Sequence, residues 1–201
     1  MSDEAGFLEA IIAPGIDEDA LAALKASKWG KNVRVMDLGA CPPVGEQALL
    51  RQVSGGFLLQ TYLPGFLHEE KTVVTKAQPS DLQLGCMDFA MRVCKHVKSN
   101  AILLAVAHDD GTFATTGVGA GQMSRVDSVK IAVEKAGDKA AGAVLASDAF
   151  FPFADGLEVA IAAGVTAVIQ PGGSKRDDEV IAAADAAGVA MVFNGTRHFR
   201  H

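Results

Sequence analysis

The chain has 201 residues, 49% of them hydrophobic and 21% charged, with one Trp and one Tyr, which excludes disorder as its main state. No run reaches the roughly 18 uninterrupted apolar residues of a spanning helix, and the acidic opening M-S-D-E-A-G-F-L-E-A is unlike a secretory leader. With a formal charge of −6, neither nucleic acid nor membrane is expected as a partner, and a cytoplasmic location is.

In chain order, the first third reads as a strand over 7–13, a helix over 17–26 and a strand over 33–38. Asp17 and Glu18 suit a first helical turn, and Ile16, Ala20, Leu21 and Leu24 recur at three- and four-residue spacing. Short strands are expected at 57–60 and 72–75, on either side of a Pro64-Gly65 turn. Residues 1–78 read as a less regular segment and 79–201 as the core of a single domain. Ser80 and Gln83 form a capping box before a helix whose apolar positions Leu82, Cys86, Phe89, Val93 and Val97 keep helical period, with Ser99-Asn100 as its end.

A strand over 101–107, a turn at Asp109-Asp110-Gly111 and a strand over 112–118 make a hairpin. Helices at 124–136, 156–163 and 177–187 then alternate with strands at 143–146, 166–170 and 189–193. Such alternation predicts a three-layer α/β fold with a mixed, mostly parallel sheet covered on both faces. Cys41, Cys86 and Cys94 contain no C-x-x-C pair, and the H-x-E followed by P-C-x-x-C pattern is missing. Small core positions explain them, and no zinc is expected.

Four segments could carry chemistry. Gly117, Gly119 and Gly121 before Ser124 and Arg125 suit either tight helix–strand contact or a ligand loop, and the arginine favours an anion. Phe150, Phe151 and Phe153 around Pro152 suit core or an aromatic shelf for a flat heterocycle, with Asp155 as either a helix cap or an acceptor for the ring. The 170–178 segment, Q-P-G-G-S-K-R-D-D, offers backbone N–H groups for an anion or for capping by its own acids. The basic, aromatic tail from Asn194 is either frayed or an anion clamp folded back on the sheet. His96, beside Lys95 and near Asn100, reads as a core-edge histidine or a general acid or base.

Together, K-H-V-K-S-N-A (95–101), G-V-G-A-G-Q-M-S-R-V (117–126), A-S-D-A-F-F-P-F (146–153), I-Q-P-G-G-S-K-R-D-D-E-V-I-A-A-A-D (169–185) and T-R-H-F-R-H (196–201) closely resemble the C-terminal part of AICAR formyltransferase, an activity usually fused to IMP cyclohydrolase. The resemblance implies a zinc-free cytidine-deaminase-like repeat, an active site at a dimer interface, and a purine-biosynthetic transfer of a formyl group from 10-formyltetrahydrofolate to the 5-amino group of AICAR. On the matched positions, Asn100 would face the AICAR carboxamide and Phe150 the reacting centre. Arg197 and Phe199 would contact the nucleotide, and Val126, Pro152, Phe153 and Asp155 would surround the folate pterin. A monovalent cation, K+, held in some members would map to Ser99 and Asp148, although a further serine of those members corresponds to Ala101.

The family's proton-transfer histidine lies in a K-H-x-N-P motif of the first repeat, which this chain does not contain, nor does it contain a cyclohydrolase domain. Lys95-His96 stands at the corresponding place in the second repeat. The expected partners are therefore AICAR, folate, and either a separate chain carrying the first repeat or a second copy presenting Lys95 and His96. The alternatives are a noncatalytic regulatory homologue that keeps both pockets, or a chain with the cyclohydrolase activity of the fused family.

Overall fold

The structure, a computed structural model, describes residues 8–28, 30–40, 47–62 and 70–200; Cys41, the Pro64-Gly65 turn and His201 lie outside them. The chain divides into two compact units, residues 1–65 and 66–201. In the first, strands β1 (Ala10–Ala13) and β2 (Arg34–Asp37) pair in parallel and are joined by helix α1 (Glu18–Ala26), with Asp17 at its N-cap and Leu24 buried. Strands β3 (Gln47–Val53) and β4 (Gly56–Tyr62) form a hairpin whose turn residue Gly55 takes φ +83°. Strand β3 has no counterpart in the sequence reading.

The second unit runs β5 (Thr72–Val73), α2 (Asp81–Cys94), β6 (Ile102–Ala107), β7 (Phe113–Gly119), α3 (Arg125–Ala136), β8 (Val144–Ser147), α4 (Asp155–Ala162), β9 (Ala167–Gln170), α5 (Asp177–Ala187) and β10 (Ala190–Phe193). One mixed sheet orders these strands β5-β10-β9-β8-β6-β7. Strands β8, β9 and β10 are parallel to one another, and β7 shares their direction; β6 and the edge strand β5 oppose them. The 72–75 strand, grouped by sequence with the N-terminal segment, therefore belongs to the large sheet: Val73 pairs with Val192, so hydrogen bonding across 119 positions outweighs chain proximity.

Strand alternation divides the core between the two faces. Ile102, Leu104, Leu145, Val168 and Met191 meet Val129 and Ala132 of α3, Leu157 and Ala160 of α4, and Val180 and Ala184 of α5. Their neighbours Leu103, Ala105, Ala146, Ala167, Ile169 and Ala190 meet α2 alone, where small strand residues accommodate Met87 and Met91. The capping box is present, with Ser80 Oγ accepting from Gln83 N at 3.2 Å and Gln83 Oε1 accepting from Ser80 N at 2.9 Å. Helix α2 nevertheless ends at Cys94, five residues before Ser99. Its last turn tightens, with His96 N donating to Val93 O and Val97 N to Cys94 O, and this delivers Ser99 and Asn100 to the sheet.

That delivery defines the functional edge. The parallel strands β8, β9 and β10 end in register, and the antiparallel β6 begins and β7 ends beside them, because Ile102 pairs with both Ser147 and Gly119. Segments 99–101, 120–124, 148–154, 171–176 and 194–200 consequently emerge at one end of the sheet, outside the carboxyl ends of its parallel strands, where open α/β sheets bind ligands.

Candidate functional site

The glycine segment resolves toward close contact at two positions. A Cβ on Gly117 would lie 2.0 Å from Ala132 O, and one on Gly119 would lie 1.9 Å from Ser128 O, so these glycines let β7 press on α3. Gly121, at φ +68°, turns the chain so that its N–H reaches Lys98 O at 2.7 Å. The loop then places Arg125 at the first turn of α3 with its guanidinium buried among the strand ends.

There Arg125 joins its own segment to two others. Its Nη1 donates to Asp148 Oδ1 at 2.7 Å and to Ser147 Oγ at 2.8 Å, and its Nη2 donates to Asn100 Oδ1 at 3.0 Å. Asn100 Nδ2 in turn donates to Gln122 O at 2.9 Å, which fixes the amide plane and leaves one amide hydrogen. The Ser99–Asn100 peptide is cis. Ser99 Oγ donates to Asp148 Oδ2 at 2.5 Å and accepts from Arg200 N at 2.8 Å, while Asp148 O accepts from His198 N at 2.8 Å. The tail is therefore folded back along this cluster rather than frayed.

Above the cluster lies a cavity of about 480 Å³, lined by Asn100, Ser124, Arg125, Val126, Phe150, Pro152, Phe153, Asp155, Arg197 and Phe199 among others. A second cavity of about 490 Å³, bounded by Glu70, Thr72, Phe193 and Asn194, contains none of the residues assigned to the nucleotide or the pterin. The phenylalanines divide their roles. Phe151 is fully buried, with its N–H on Gln170 Oε1 at 2.8 Å, whereas Phe153 and Phe199 are each 49% exposed at the cavity. The Arg197 guanidinium stacks 4.7 Å above the Phe150 ring, and Arg176 lies 4.7 Å above Phe153.

Several expectations change. Asp155 is the first residue of α4 rather than its cap, which is Ala154, and its Oδ1 accepts from Gly156 N at 2.7 Å. The N–H groups of Gly173 and Ser174 are occupied by Asp177 Oδ2 at 2.7 and 3.2 Å, so the P-G-G-S loop is capped by its own acid. Lys95, the C-cap of α2, and His96 are not among the residues lining the cavity. Burial, then the Lys95 and Arg200 charges, hold the His96 pKa below its ordinary value. Cys86 and Cys94 are buried core thiols; burial pushes Cys86 up to about 11 and Cys94 higher still.

The sequence singled out Arg125 only as a hint of anion binding and missed it as the centre of the buried cluster. Its place after the glycines was the available signal. Nor do Ser99 and Asp148 fit the implied monovalent cation. Such an ion needs several oxygens turned toward it in place of its hydration shell. Here both Asp148 oxygens, Ser99 Oγ and Ala101 O each already accept a hydrogen bond, and Ala101 has no side-chain oxygen to add. Among the described residues, no group of three or more His, Cys, Asp or Glu is gathered to hold a metal, and no helix is long and apolar enough to cross a membrane.

A mixed-sheet α/β unit with an aromatic cavity and a few fixed polar groups at its strand ends has the arrangement in which open α/β sheets commonly bind small molecules. A family model described as AICARFT/IMPCHase bienzyme matches residues 2–135. The bifunctional purine biosynthesis protein PurH of Cereibacter sphaeroides is 54% identical over 207 residues, covering 97% of this chain and 38% of that protein. The PurH proteins of Chloroflexus aurantiacus and Sorangium cellulosum are 55% and 50% identical, each over 97% of this chain and over 37% and 36% of their own lengths. This chain belongs to the AICARFT/IMPCHase bienzyme family, and it spans less than two fifths of the length of these relatives. A solved structure, Acinetobacter baumannii RibD form 2, aligns with a TM-score of 0.40 at 15% identity over 57% of this chain and 36% of that one, too loosely to carry an argument.

Proposed function

We propose that this chain is the nucleotide- and folate-binding part of an AICAR formyltransferase, built as a zinc-free cytidine-deaminase-like repeat, and transfers the formyl group of 10-formyltetrahydrofolate to AICAR when a partner completes the site. One observation carries the reading: residues assigned to the nucleotide (Asn100, Phe150, Arg197, Phe199) and to the pterin (Val126, Pro152, Phe153, Asp155) line a single cavity, although they come from four separate stretches of sequence.

The chemistry follows from what those groups can do. Asn100, locked by Arg125 and Gln122 O, offers its remaining amide hydrogen to a carboxamide oxygen without reorganising. Arg197 supplies positive charge for an anionic group. The Asp155 carboxylate can accept from a pterin N–H, and Phe153 gives the ring a face. In the reaction the amine nitrogen attacks the formyl carbon, the bond from that carbon to the folate nitrogen breaks, and a proton leaves the amine for the departing nitrogen. The described residues lining the cavity include no His or Lys to carry that proton. A separate chain bearing the first repeat supplies it, or a second copy of this chain brings Lys95 and His96 across a homodimer interface.

The test is steady-state turnover of AICAR and 10-formyltetrahydrofolate by the purified chain, with and without a first-repeat chain taken from a relative. Turnover only in the mixture is the expected result. Turnover by the lone chain that His96→Ala abolishes identifies the homodimer arrangement instead. Binding of both ligands with no turnover in either case leaves the chain as a noncatalytic regulatory homologue.

A further inference from the structure

We propose that the Arg125 guanidinium is the built-in counter-ion of Asp148, so that this chain holds its strand ends and its C-terminal segment together without a monovalent cation. Asp148 is completely buried, and Arg125 is 8% exposed. A buried carboxylate needs a nearby positive charge and a hydrogen bond at each oxygen. Arg125 Nη1 meets Oδ1 at 2.7 Å and Ser99 Oγ meets Oδ2 at 2.5 Å, which supplies both.

The surrounding oxygens are engaged in the same way. Ser99 Oγ accepts from Arg200 N at 2.8 Å, and Asp148 O accepts from His198 N at 2.8 Å. Ala101 O accepts from Asp148 N at 3.2 Å and from the Cys94 thiol at 3.7 Å, and the same thiol reaches Ala146 O at 3.7 Å. N–H, O–H and S–H donors thus already satisfy these oxygens, and the guanidinium already balances the carboxylate charge, so no cation is required there. The planar fork of the guanidinium reaches three acceptors on two segments, Ser147 and Asp148 on one and Asn100 on the other.

The inference does not rest on formyl transfer, and its test is thermal unfolding of the purified chain in potassium chloride against choline chloride at equal ionic strength. The midpoint is expected to agree between the two salts within about 1 °C. A saturable rise specific to potassium overturns the proposal, since a ligand that binds only the folded chain must raise the midpoint with its concentration. In the same assay Arg125→Met and Asp148→Asn each lower the midpoint by more than about 5 °C, while the double variant loses less than the sum. Strictly additive losses overturn the pairing. Should Arg125→Met not fold, the salt comparison on the unaltered chain decides alone.

Discussion

The floor and the rim of the cavity are made of similar residue types put to opposite uses. On the floor, Arg125, Ser147, Asp148 and Phe151 are buried, and their hydrogen-bonding groups answer one another. At the rim, Phe153 and Phe199 are half exposed, and Arg197 rests on Phe150 with no carboxylate paired to it among the described residues. A saturated floor has little capacity left to bind or react, and its contribution is shape. Under the proposed function, recognition falls to the rim, together with the one amide hydrogen that Asn100 keeps.

The strongest way to break this division is to remove a charge from the floor. Asp148→Ala leaves the Arg125 guanidinium buried without its carboxylate, and loss of one member of a buried pair costs about 3–5 kcal/mol. Chemical denaturation is expected to show that loss with or without ligand. If the variant instead kept its stability and lost only ligand affinity, the floor would have a binding role that its saturation denies.

Two neighbouring phenylalanines sharpen the contrast. Phe151→Ala empties a fully buried site and is expected to cost about 3–5 kcal/mol of folding stability. Phe153→Ala, only two positions along, is expected to leave stability within about 0.5 kcal/mol and to weaken binding of 10-formyltetrahydrofolate by about tenfold through the lost ring contact. Denaturation and ligand titration on the same two variants check both halves.

The sequence reached some of this and not the rest, for reasons visible in particular residues. From residue 80 onward, helices and strands were legible because local signals agreed with the fold: the capping box at Ser80 and Gln83 forms, and Asp110 Oδ1 accepts from Thr112 N at 2.9 Å in the turn where Gly111 takes φ +80°. Strand β3 was not, since Q-A-L-L-R-Q-V lacks a clean two-residue alternation and is defined by its partner β4. The family motifs named most residues of the cavity, yet spacing alone could not say that Phe151 turns inward while Phe153 stays out. Nor could it show that Arg125 meets Asn100, 25 positions earlier, because that contact exists only once β6 and β7 are paired.

A smaller effect tests whether the local signals matter apart from the cavity. Ser80→Ala removes the side-chain acceptor for Gln83 N and is expected to cost about 1 kcal/mol without changing ligand affinity. Denaturation with and without ligand measures it. A change in affinity would mean that α2 transmits more to the site than its position on the opposite face of the sheet suggests.

The smallest expected effect concerns His96, which belongs to neither floor nor rim. Burial first, and then Lys95 and Arg200, lower its pKa in the folded chain below the ordinary 6.5. As pH falls, the unfolded chain therefore takes up this proton before the folded chain does. The corresponding stability is fully present above pH 6.5 and is lost as pH drops through the lowered folded value. His96→Gln should flatten that part of the melting-temperature profile by less than about 1 °C, because the side chain is exposed and its charges are screened by solvent. A profile that steepened instead would mean that the folded chain favours protonated His96, the reverse of what burial, Lys95 and Arg200 dictate.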